Sequence, residues 1–235
     1  MVAVFLAGGF GTRISKVLPN VPKCLAPLIS GGAFLDLMAI RLKEAGVKKF
    51  IFLTHHLSEQ IQTHVSTTYF GVPAGVIRES IPLGTGGGLI EALGTIQGKH
   101  FIVLNADTYL ECDIKVFISR LPPSNGIKLA AVKVPCASRF GRVQIQPNGL
   151  VDSFLEKTTE GESCGFINAG LYWVDRGFAA DFAKGRPYSL EKDIFPKLSA
   201  SCRLEAWKTE AKFLDIGTPE DLALAQAGLK VSSKA

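Results

Sequence analysis

A glycine-rich segment near the amino end of the chain carries one cationic side chain and is soon followed by another. It reads Leu6-Ala7-Gly8-Gly9-Phe10-Gly11-Thr12-Arg13, and Pro22-Lys23 comes shortly after it. Because glycines have no Cβ atom, backbone N–H groups in such a loop can approach an anion closely. We therefore predict that the segment binds a triphosphate, with Arg13 and Lys23 as catalytic cations. The predicted nucleotide-binding residues here are Leu6, Ala7, Gly8, Gly9, Gly11, Thr12 and Arg13. The alternative is a tight turn with two surface cations.

Two aspartates follow short apolar runs that read as strands. Asp107 comes after the run at 101–104, and Asp215 comes after the run at 213–214. Mg²⁺ in proteins is usually held by one or two carboxylates together with substrate phosphates. Asp107 and Asp215, if they meet at the edge of one sheet, could supply such a site. The alternative for each aspartate is that it caps the turn that follows it. Asp113 is predicted to cap a helix in that way.

The apolar pattern predicts the elements that position these residues. Continuous apolar runs at 2–7, 47–53 and 101–104 read as strands buried on both faces, while helical spacing appears at 34–45 and 89–96. This alternation predicts an α/β fold with a doubly wound, mostly parallel, Rossmann-like sheet. The chemistry of such a sheet lies at the carboxyl ends of its strands.

The second half of the chain is richer in strand patterns than the first. A hairpin is predicted at 142–154 and a further strand at 165–174. We see no linker, so we predict a single domain over residues 1–228. Its nucleotide-binding half would span about 1–112, its small β-rich half about 113–228, and a flexible tail 229–235.

Composition excludes several classes of protein. The chain has 235 residues, 47% of them hydrophobic and 20% charged, which excludes a disordered protein. Its net charge of +5 suits anionic small molecules, and the lack of a block of like charge argues against a nucleic-acid partner. No apolar stretch approaches the length of a membrane span. Five cysteines without a CxxC pair argue against structural zinc and disulfides, so a cytoplasmic location is predicted.

Several segments, in sequence order, resemble the motifs of the sugar-1-phosphate nucleotidyltransferases. The segment at 6–13 with Pro22-Lys23 matches the family pattern LAGGxGTR followed by PK. The other matches are 82–87 to the family's nucleoside-binding glycine turn, 105–107 to its first metal-binding motif, 154–157 with 167–172 to its sugar-phosphate segment, and 213–219 to its second metal-binding motif. Five ordered motifs over nearly the whole chain are hard to obtain by accident, whereas any one alone would be weak.

The resemblance favours Asp107 and Asp215 as metal ligands, with Mg²⁺ as the cofactor, and it implies further site residues. Gly84, Thr85 and Gly86 would bind the nucleotide, and Asn105, Glu156, Lys157, Asn168 and Gly170 would bind the sugar phosphate. Lys157 can meet a phosphate as a point charge, and Glu156 and Asn168 can bond sugar hydroxyls. Gly170 would be small so that the sugar can approach. A solvated strand end is the alternative for Glu156.

The reaction that the resemblance implies is nucleotidyl transfer. An oxygen of a sugar 1-phosphate attacks the α-phosphorus of a nucleoside triphosphate, and pyrophosphate leaves. Glu79 can accept hydrogen bonds from the two adjacent donors of guanine, or it is simply an exposed charge at a strand end. Segments at 79–87, 165–172 and 187–191 are most similar to the branch that transfers GMP from GTP to D-glycero-α-D-manno-heptose 1-phosphate, for surface polysaccharide. Gly88 stands where that branch usually has alanine.

Other interpretations stay open at this point. They are a uridylyl- or thymidylyltransferase for a hexose or N-acetylmuramate 1-phosphate, a transferase to a non-sugar acceptor, and a non-catalytic sensor of nucleotide sugars. The segments at 156–172 and 213–219 argue against the non-sugar acceptor. A sensor is expected to lose a phosphate-binding or metal residue, yet the predicted cations and aspartates are all present. The sequence leaves the oligomeric state open, with a homodimer as one option.

Overall fold

The computed structural model describes residues 1–137, 142–155 and 164–229. Its strands are β1 Val2–Leu6, β2 Lys49–Thr54, β3 Thr68–Tyr69, β4 Val72–Arg78, β5 His100–Asn105, β6 Thr108–Leu110, β7 Ile127–Val134, β8 Arg142–Ile145, β9 Val151–Leu155, β10 Gly165–Asp175, β11 Leu204–Thr209 and β12 Phe213–Asp215. Its α-helices are α1 Phe34–Glu44, α2 Ser58–Val65, α3 Gly84–Thr95, α4 Ile114–Ile118, α5 Phe195–Ala200 and α6 Pro219–Gly228. Short 3₁₀ turns cover Lys23–Leu25 and Arg176–Asp181, and a π-turn covers Leu190–Ile194.

One large mixed sheet organises the molecule. Its strand order is β11-β7-β10-β5-β1-β2-β4-β3, with the β8–β9 hairpin attached to β10. Strands β5, β1, β2 and β4 run parallel, as predicted, whereas β10 runs antiparallel to both β5 and β7. The predicted α/β class is therefore confirmed, and the sheet is mixed where the second half of the chain joins it. The boundary near residue 112 stays a prediction.

Apolar side chains cover both faces of the parallel strands. Phe5 points to one face, where its ring stacks on Phe52 with centroids 4.7 Å apart, while Val4 packs on the other face beneath α3. Burial of both faces explains why these strands read as continuous apolar runs rather than as alternating ones. Within the described ranges, no helix combines the length and the apolar character that crossing a bilayer requires.

A buried polar cluster lies beneath α1. Asp36 is 4% exposed, and its carboxylate accepts hydrogen bonds from the Ala33 N–H at 2.7 Å, from His64 Nε2 at 2.9 Å and from the Tyr69 hydroxyl. Burial on its own raises the pKa of Asp36, but these hydrogen bonds outweigh it and lower the pKa below its usual 3.8. The cluster therefore stabilises the fold through an ionised side chain.

Two predicted boundaries are wrong and one predicted cap is confirmed. Helix α3 begins at Gly84, so the predicted glycine turn is itself helical; tertiary contacts override the poor helix propensity of glycine. Leu229, predicted to start a flexible tail, is 6% exposed, and its carbonyl accepts a hydrogen bond from Ser30 Oγ at 3.2 Å. Residues 230–235 lie outside the described residues. Asp113 caps α4 by accepting hydrogen bonds from the Lys115 and Val116 N–H groups.

Candidate active site

A cavity of about 410 Å³ lies at the carboxyl edge of β1 and β5. The predicted residues on its wall are Leu6, Ala7, Gly8, Gly9, Gly11, Thr12, Arg13, Lys23, Glu79, Gly84, Thr85, Asn105 and Asp107. Its wall also includes residues that the sequence did not single out for binding, namely Phe10, Ile14, Cys24, Leu53, His55, Pro82, Ala106 and Gly217. The fold thus brings nearly all of the predicted nucleotide-binding residues to one place.

The glycine loop forms one wall of the cavity. The Ala7 N–H donates to the Leu53 carbonyl at 2.8 Å, which continues the β1 ladder into the loop. Gly11 has φ +61°, a left-handed conformation that glycine adopts without strain. Ile14, 2% exposed, then anchors the far end of the loop in the core. Among the described residues, no atom lies within 4 Å of where a Cβ on Gly9 would be, so its backbone is open to a ligand.

Lys23 lies between the two predicted metal ligands. Its Nζ donates to Asp107 Oδ2 at 2.6 Å and to Asp215 Oδ1 at 3.4 Å. The small β6–β12 sheet explains why residues so distant in sequence meet: Asp215 pairs with Thr108, and the Ile216 N–H donates to the Asp107 carbonyl at 3.2 Å. The expected convergence of the two carboxylates is therefore a feature of the fold.

Arg13 and Asp215 lie close together beside Gly217. A Cβ placed on Gly217 would lie 2.8 Å from Asp215 Oδ1 and 3.3 Å from Arg13 Nη2, so both side chains crowd this position. The Arg13 charge also acts on Asp215 electrostatically. A glycine at position 217 thus lets the exposed Arg13 side chain lie beside the carboxylate. The sequence signal for this contact was the glycine of the second metal-binding motif.

The surroundings of Asp215 disfavour its ionised form. Burial, followed by the nearby Asp107 charge, raises the pKa of Asp215, and the Lys23 and Arg13 cations oppose this increase. Burial and the Asp107 charge also raise the pKa of the Cys24 thiol to about 12. Cys24 is therefore a neutral thiol at physiological pH, and its position beside Lys23 does not make it a nucleophile.

The two carboxylates suit a hard divalent cation. Their oxygens converge on one point that a cationic group already occupies, the Lys23 ammonium. Mg²⁺ prefers oxygen ligands and completes its coordination with water and substrate phosphates, so two protein carboxylates are sufficient. In the described part of the chain no group of three or more His, Cys, Asp or Glu side chains forms a metal site, so a cage supplied wholly by such residues is not seen there.

Glu79 lies on the cavity wall with its carboxylate half-buried. Its Oε2 accepts a hydrogen bond from the Leu83 N–H at 3.0 Å, and its backbone carbonyl lies 3.1 Å from His55 Nδ1. Burial raises the pKa of Glu79, opposed by the Leu83 hydrogen bond and by His55. A Cβ placed on Gly88 would overlap with Glu79 Oε1, so the glycine at 88 makes room for this carboxylate.

Gly86 has a packing role rather than a place on the cavity wall. It is buried, and its N–H donates to the Tyr188 carbonyl at 2.8 Å. A Cβ on Gly86 would lie 2.5 Å from Ile194 Cδ1. The prediction that Gly86 contacts the nucleotide is therefore not supported by its position. Its neighbours Gly84 and Thr85 do line the cavity.

In the second half of the chain, the structure gives Gly170 and Asn168 roles that differ from the predicted ones. Gly170 has φ +71° at an irregularity of β10, and a Cβ there would lie 2.6 Å from Thr108 Oγ1 and 2.9 Å from Asn105 Nδ2. Internal packing therefore already requires glycine at position 170, and an approaching sugar there stays a prediction. Asn168 donates to the Tyr172 hydroxyl at 2.8 Å and to Glu191 Oε1 at 3.1 Å.

Two predicted residues cannot be placed, and two others were missed. Glu156 and Lys157 lie outside the described residues. Tyr172 and Glu191 join the polar network around Asn168 but were not predicted as site residues. A signal for Tyr172 was available, because residues four apart in a strand face the same side. No spacing rule connects Asn168 with Glu191, which lies on a separate π-turn.

Comparison with known proteins agrees with this geometry. Residues 2–231 match the model of a family described as nucleotidyl transferase. A D-glycero-alpha-D-manno-heptose 1-phosphate guanylyltransferase from Campylobacter jejuni is 32% identical over 225 residues, which cover 94% of this chain and 96% of the relative. A mannose-1-phosphate guanylyltransferase from Mycobacterium tuberculosis is 30% identical over 97% of this chain and 64% of its own length.

A solved structure shares both the fold and part of the sequence. HddC from Yersinia pseudotuberculosis superposes with a TM-score of 0.83 and 33% identity, covering 96% of this chain and 98% of that chain, and one of its structures is complexed with GMP-PN. The glycine loop, the paired aspartates and the match along nearly the whole chain lead to one conclusion. This chain belongs to the nucleotidyl transferase family and is a sugar-1-phosphate nucleotidyltransferase.

Proposed function

We propose that this chain transfers GMP from GTP to D-glycero-α-D-manno-heptose 1-phosphate and releases pyrophosphate. The observation that carries the proposal is the Lys23 ammonium held between Asp107 and Asp215, at the wall of a cavity that the glycine loop also lines. Joining two phosphates needs open backbone donors, fixed cations and a place for a divalent ion. The glycine loop, the Lys23 ammonium and the paired carboxylates would supply these three features, and they lie at one edge of this sheet.

The side chains act mainly by bringing two repelling anions together. A phosphate oxygen of the acceptor forms a bond to the α-phosphorus of GTP, and the bond to the β-phosphate bridging oxygen breaks, so that pyrophosphate leaves with the electron pair. The nucleophile is already an anion, so no proton has to be removed from it. Backbone N–H groups of the glycine loop and the Arg13 guanidinium would hold the triphosphate. Lys23 would neutralise charge that develops on the reacting phosphates.

Asp107 and Asp215 would hold Mg²⁺ in this proposal. When bound, the ion would supply positive charge and orientation to the triphosphate oxygens. Lys23 contacts both carboxylates, and in this proposal it would link them with the reacting phosphates.

Guanine is the proposed base. Guanine presents the N1–H and N2–H₂ donors side by side, which one carboxylate can accept together. Glu79 is the carboxylate on the cavity wall nearest the start of α3, and Gly88 leaves space for it. The name of the Campylobacter relative and the GMP-PN complex of the Yersinia protein support the same choice.

The acceptor is proposed chiefly from the relatives. A heptose 1-phosphate is the acceptor in the name of the Campylobacter protein, and the product would feed surface polysaccharide synthesis. Glu156 and Lys157 stay predicted contacts of the sugar phosphate. None of the five cysteines, all of which lie among the described residues, forms a disulfide, which fits the cytoplasm as the proposed compartment. A homodimer stays a prediction.

Pyrophosphate release by the purified protein tests the proposal. GTP, UTP, dTTP and CTP are each paired with the 1-phosphates of manno-heptose, mannose, glucose and N-acetylmuramate, with Mg²⁺ present. We expect GTP with heptose 1-phosphate to give the highest kcat/KM by about tenfold or more, a difference of about 1.4 kcal/mol. Asp215→Asn is the control and should be inactive with every pair.

Each other result of this panel contradicts a different part of the proposal. A preference for UTP or dTTP would overturn guanylyl transfer. A preference for mannose 1-phosphate would keep guanylyl transfer and overturn the heptose. No pyrophosphate from any pair would favour the sensor interpretation.

A further inference from the structure

We propose that Glu191 determines acceptor specificity by accepting hydrogen bonds from sugar hydroxyls, and that Asn168 positions its carboxylate. The inference rests on the proposed function, because it concerns the sugar 1-phosphate of that reaction. The prediction that Asn168 itself binds the sugar stays a prediction. Four sets of contacts carry the inference.

The side-chain amide of Asn168 is already fully engaged. Its Nδ2 donates to the Tyr172 hydroxyl at 2.8 Å and to Glu191 Oε1 at 3.1 Å, which uses both hydrogens of that nitrogen. Its Oδ1 accepts from the Gly170 N–H at 3.0 Å. Rotating the amide by half a turn would place its oxygen against the Glu191 carboxylate and its NH₂ group against a backbone donor. The orientation of Asn168 is therefore fixed, and no donor remains for a sugar.

The Glu191 carboxylate has capacity to spare. Glu191 is exposed, and within the described part of the chain its only hydrogen bond is the one from Asn168. An ionised carboxylate offers about four lone-pair sites on two oxygens. Hydroxyl groups are donors that suit it, and hydrogen bonds to an ionised acceptor are about twice as strong as neutral ones. Neighbouring hydroxyls of a sugar can donate to both oxygens at once.

A row of contacts connects Glu191 with the reaction site. A Cβ placed on Gly170 would lie 2.9 Å from Asn105 Nδ2, so the Asn105 side chain lies beside the segment that carries Asn168 and Tyr172. Asn105 also lines the cavity together with Asp107. Tyr172 is 2% exposed, and burial followed by the Glu191 charge raises its pKa, so the phenol stays neutral and rigid between the two asparagines. Asn168, Tyr172 and Asn105 thus form a polar row between Glu191 and the cavity wall that carries Asp107.

The backbone around Glu191 is tied to the nucleotide-binding half. Glu191 lies on the π-turn Leu190–Ile194, and the Leu190 N–H donates to Thr85 Oγ1 on α3 at 3.0 Å. Thr85 itself lines the cavity. The carboxylate thus keeps a fixed distance from the nucleotide site, as a residue that orients an acceptor must.

The charges along this row favour one orientation of the bound acceptor over the reverse one. Its phosphate is attracted to Arg13 and Lys23 and repelled by the Glu191 carboxylate, whereas its hydroxyls are attracted to Glu191. An acceptor bound in reverse would bring two anions together and is disfavoured. Glu191 therefore helps to direct the phosphate toward the α-phosphorus of the nucleotide.

Glu191→Gln tests the specificity role, with Glu44→Gln as the matched control. Glu44 is an exposed glutamate at the end of α1, at the edge of the sheet opposite the cavity. We expect Glu191→Gln to raise the KM for the sugar 1-phosphate about tenfold or more and to leave the KM for GTP within about twofold. Discrimination between epimeric acceptors should narrow, which a merely structural role would not cause. Glu44→Gln should match the wild type in both constants.

Asn168→Ala and the double variant test the positioning role. If Asn168 acts through Glu191, Asn168→Ala raises the KM for the acceptor and the double variant is no worse than Glu191→Gln alone. Thermal melting confirms that each variant is folded. An active wild type with an unchanged acceptor KM and unchanged epimer preference in Glu191→Gln would overturn this inference and leave the proposed function intact. A wild type that turns over no sugar 1-phosphate would overturn both.

Discussion

Replacing Lys23 by alanine should have two opposite effects, a loss of catalytic activity and a gain in affinity for a divalent cation. The Lys23 side chain is 13% exposed, and its Nζ lies 2.6 Å from Asp107 and 3.4 Å from Asp215. Its removal takes away a preorganised cation at the reacting phosphates. Loss of one such donor costs about 2.7–4 kcal/mol in transition-state stabilisation, so kcat/KM should fall by about 10²–10³-fold.

Divalent binding to the same variant should change in the opposite direction. Without Lys23, the two carboxylates lose the cation that competes for their oxygens. Two unit charges 4 Å apart interact with an energy of about 4 kcal/mol at an effective dielectric constant of 20. Solvent at the partly exposed Asp107 reduces this energy considerably. We therefore expect the nucleotide-free Lys23→Ala variant to bind Mn²⁺, used as a probe for Mg²⁺, about tenfold more tightly.

Two measurements and one control decide the matter. Pyrophosphate release gives kcat/KM, and titration calorimetry with Mn²⁺ gives the affinity. Lys43→Ala removes the same charge from an exposed position near the end of α1 and should change neither quantity. A kcat/KM within threefold of the wild type would refute the role at the phosphates, and an unchanged Mn²⁺ affinity would refute the metal-binding role of the aspartates.

The other predictions concern a specificity contact and two features of stability. Glu79→Gln should remove the charge that accepts hydrogen bonds from guanine and raise the KM for GTP about tenfold in steady-state kinetics, while the unfolding free energy changes by less than about 1 kcal/mol. An unchanged KM would separate Glu79 from guanine. Asp36→Asn should lower the urea unfolding free energy by about 1–3 kcal/mol at pH 7. The pKa of Asp36 in the folded protein lies below 3.8, so the stability difference between wild type and variant should shrink as the pH falls below 3.8. A difference that does not change with pH would contradict an ionised Asp36 in the folded state. Gly86→Ala should lower the urea unfolding free energy by about 1–3 kcal/mol, because the added methyl group would overlap with the segment at 188–194. An unchanged unfolding free energy would show that this segment can shift to accommodate the methyl group.

Local signals in the sequence were sufficient for the parallel half of the fold. Strands β1, β2 and β5 are buried on both faces, so each appears in the sequence as a continuous apolar run. Such a run can be recognised without knowing which strands lie beside it. The glycine loop was predictable for the same reason, because Gly11 needs its left-handed φ whatever lies around it. Both predictions depend only on residues close together in the chain.

Contacts between distant segments were not available from the sequence pattern. Asp107 and Asp215 meet because β6 and β12 pair, yet each of these strands has only three residues, too few for a periodic signal. Their approach was inferred from motif resemblance instead. Helix α3 was misread at its start because the contacts of its glycines with Tyr188 and Ile194 are tertiary. The role of Asn168 was likewise hidden, since Glu191 comes from a separate turn.

The β6–β12 pair also explains how the site can be prepared before substrates arrive. It fixes Asp107 and Asp215 through backbone hydrogen bonds, and the two carboxylates then hold the Lys23 ammonium in place. Groups that are already positioned need no reorganisation when charge develops on the reacting phosphates, and such preorganisation is commonly the largest contribution to catalysis. The cost is visible in the raised pKa of Asp215, a carboxyl group held beside a second carboxylate. Burial and the nearby like charge destabilise its ionised form. A bound divalent cation would reduce that repulsion, so we expect the metal affinity of the site to depend on the same electrostatic repulsion that raises the pKa.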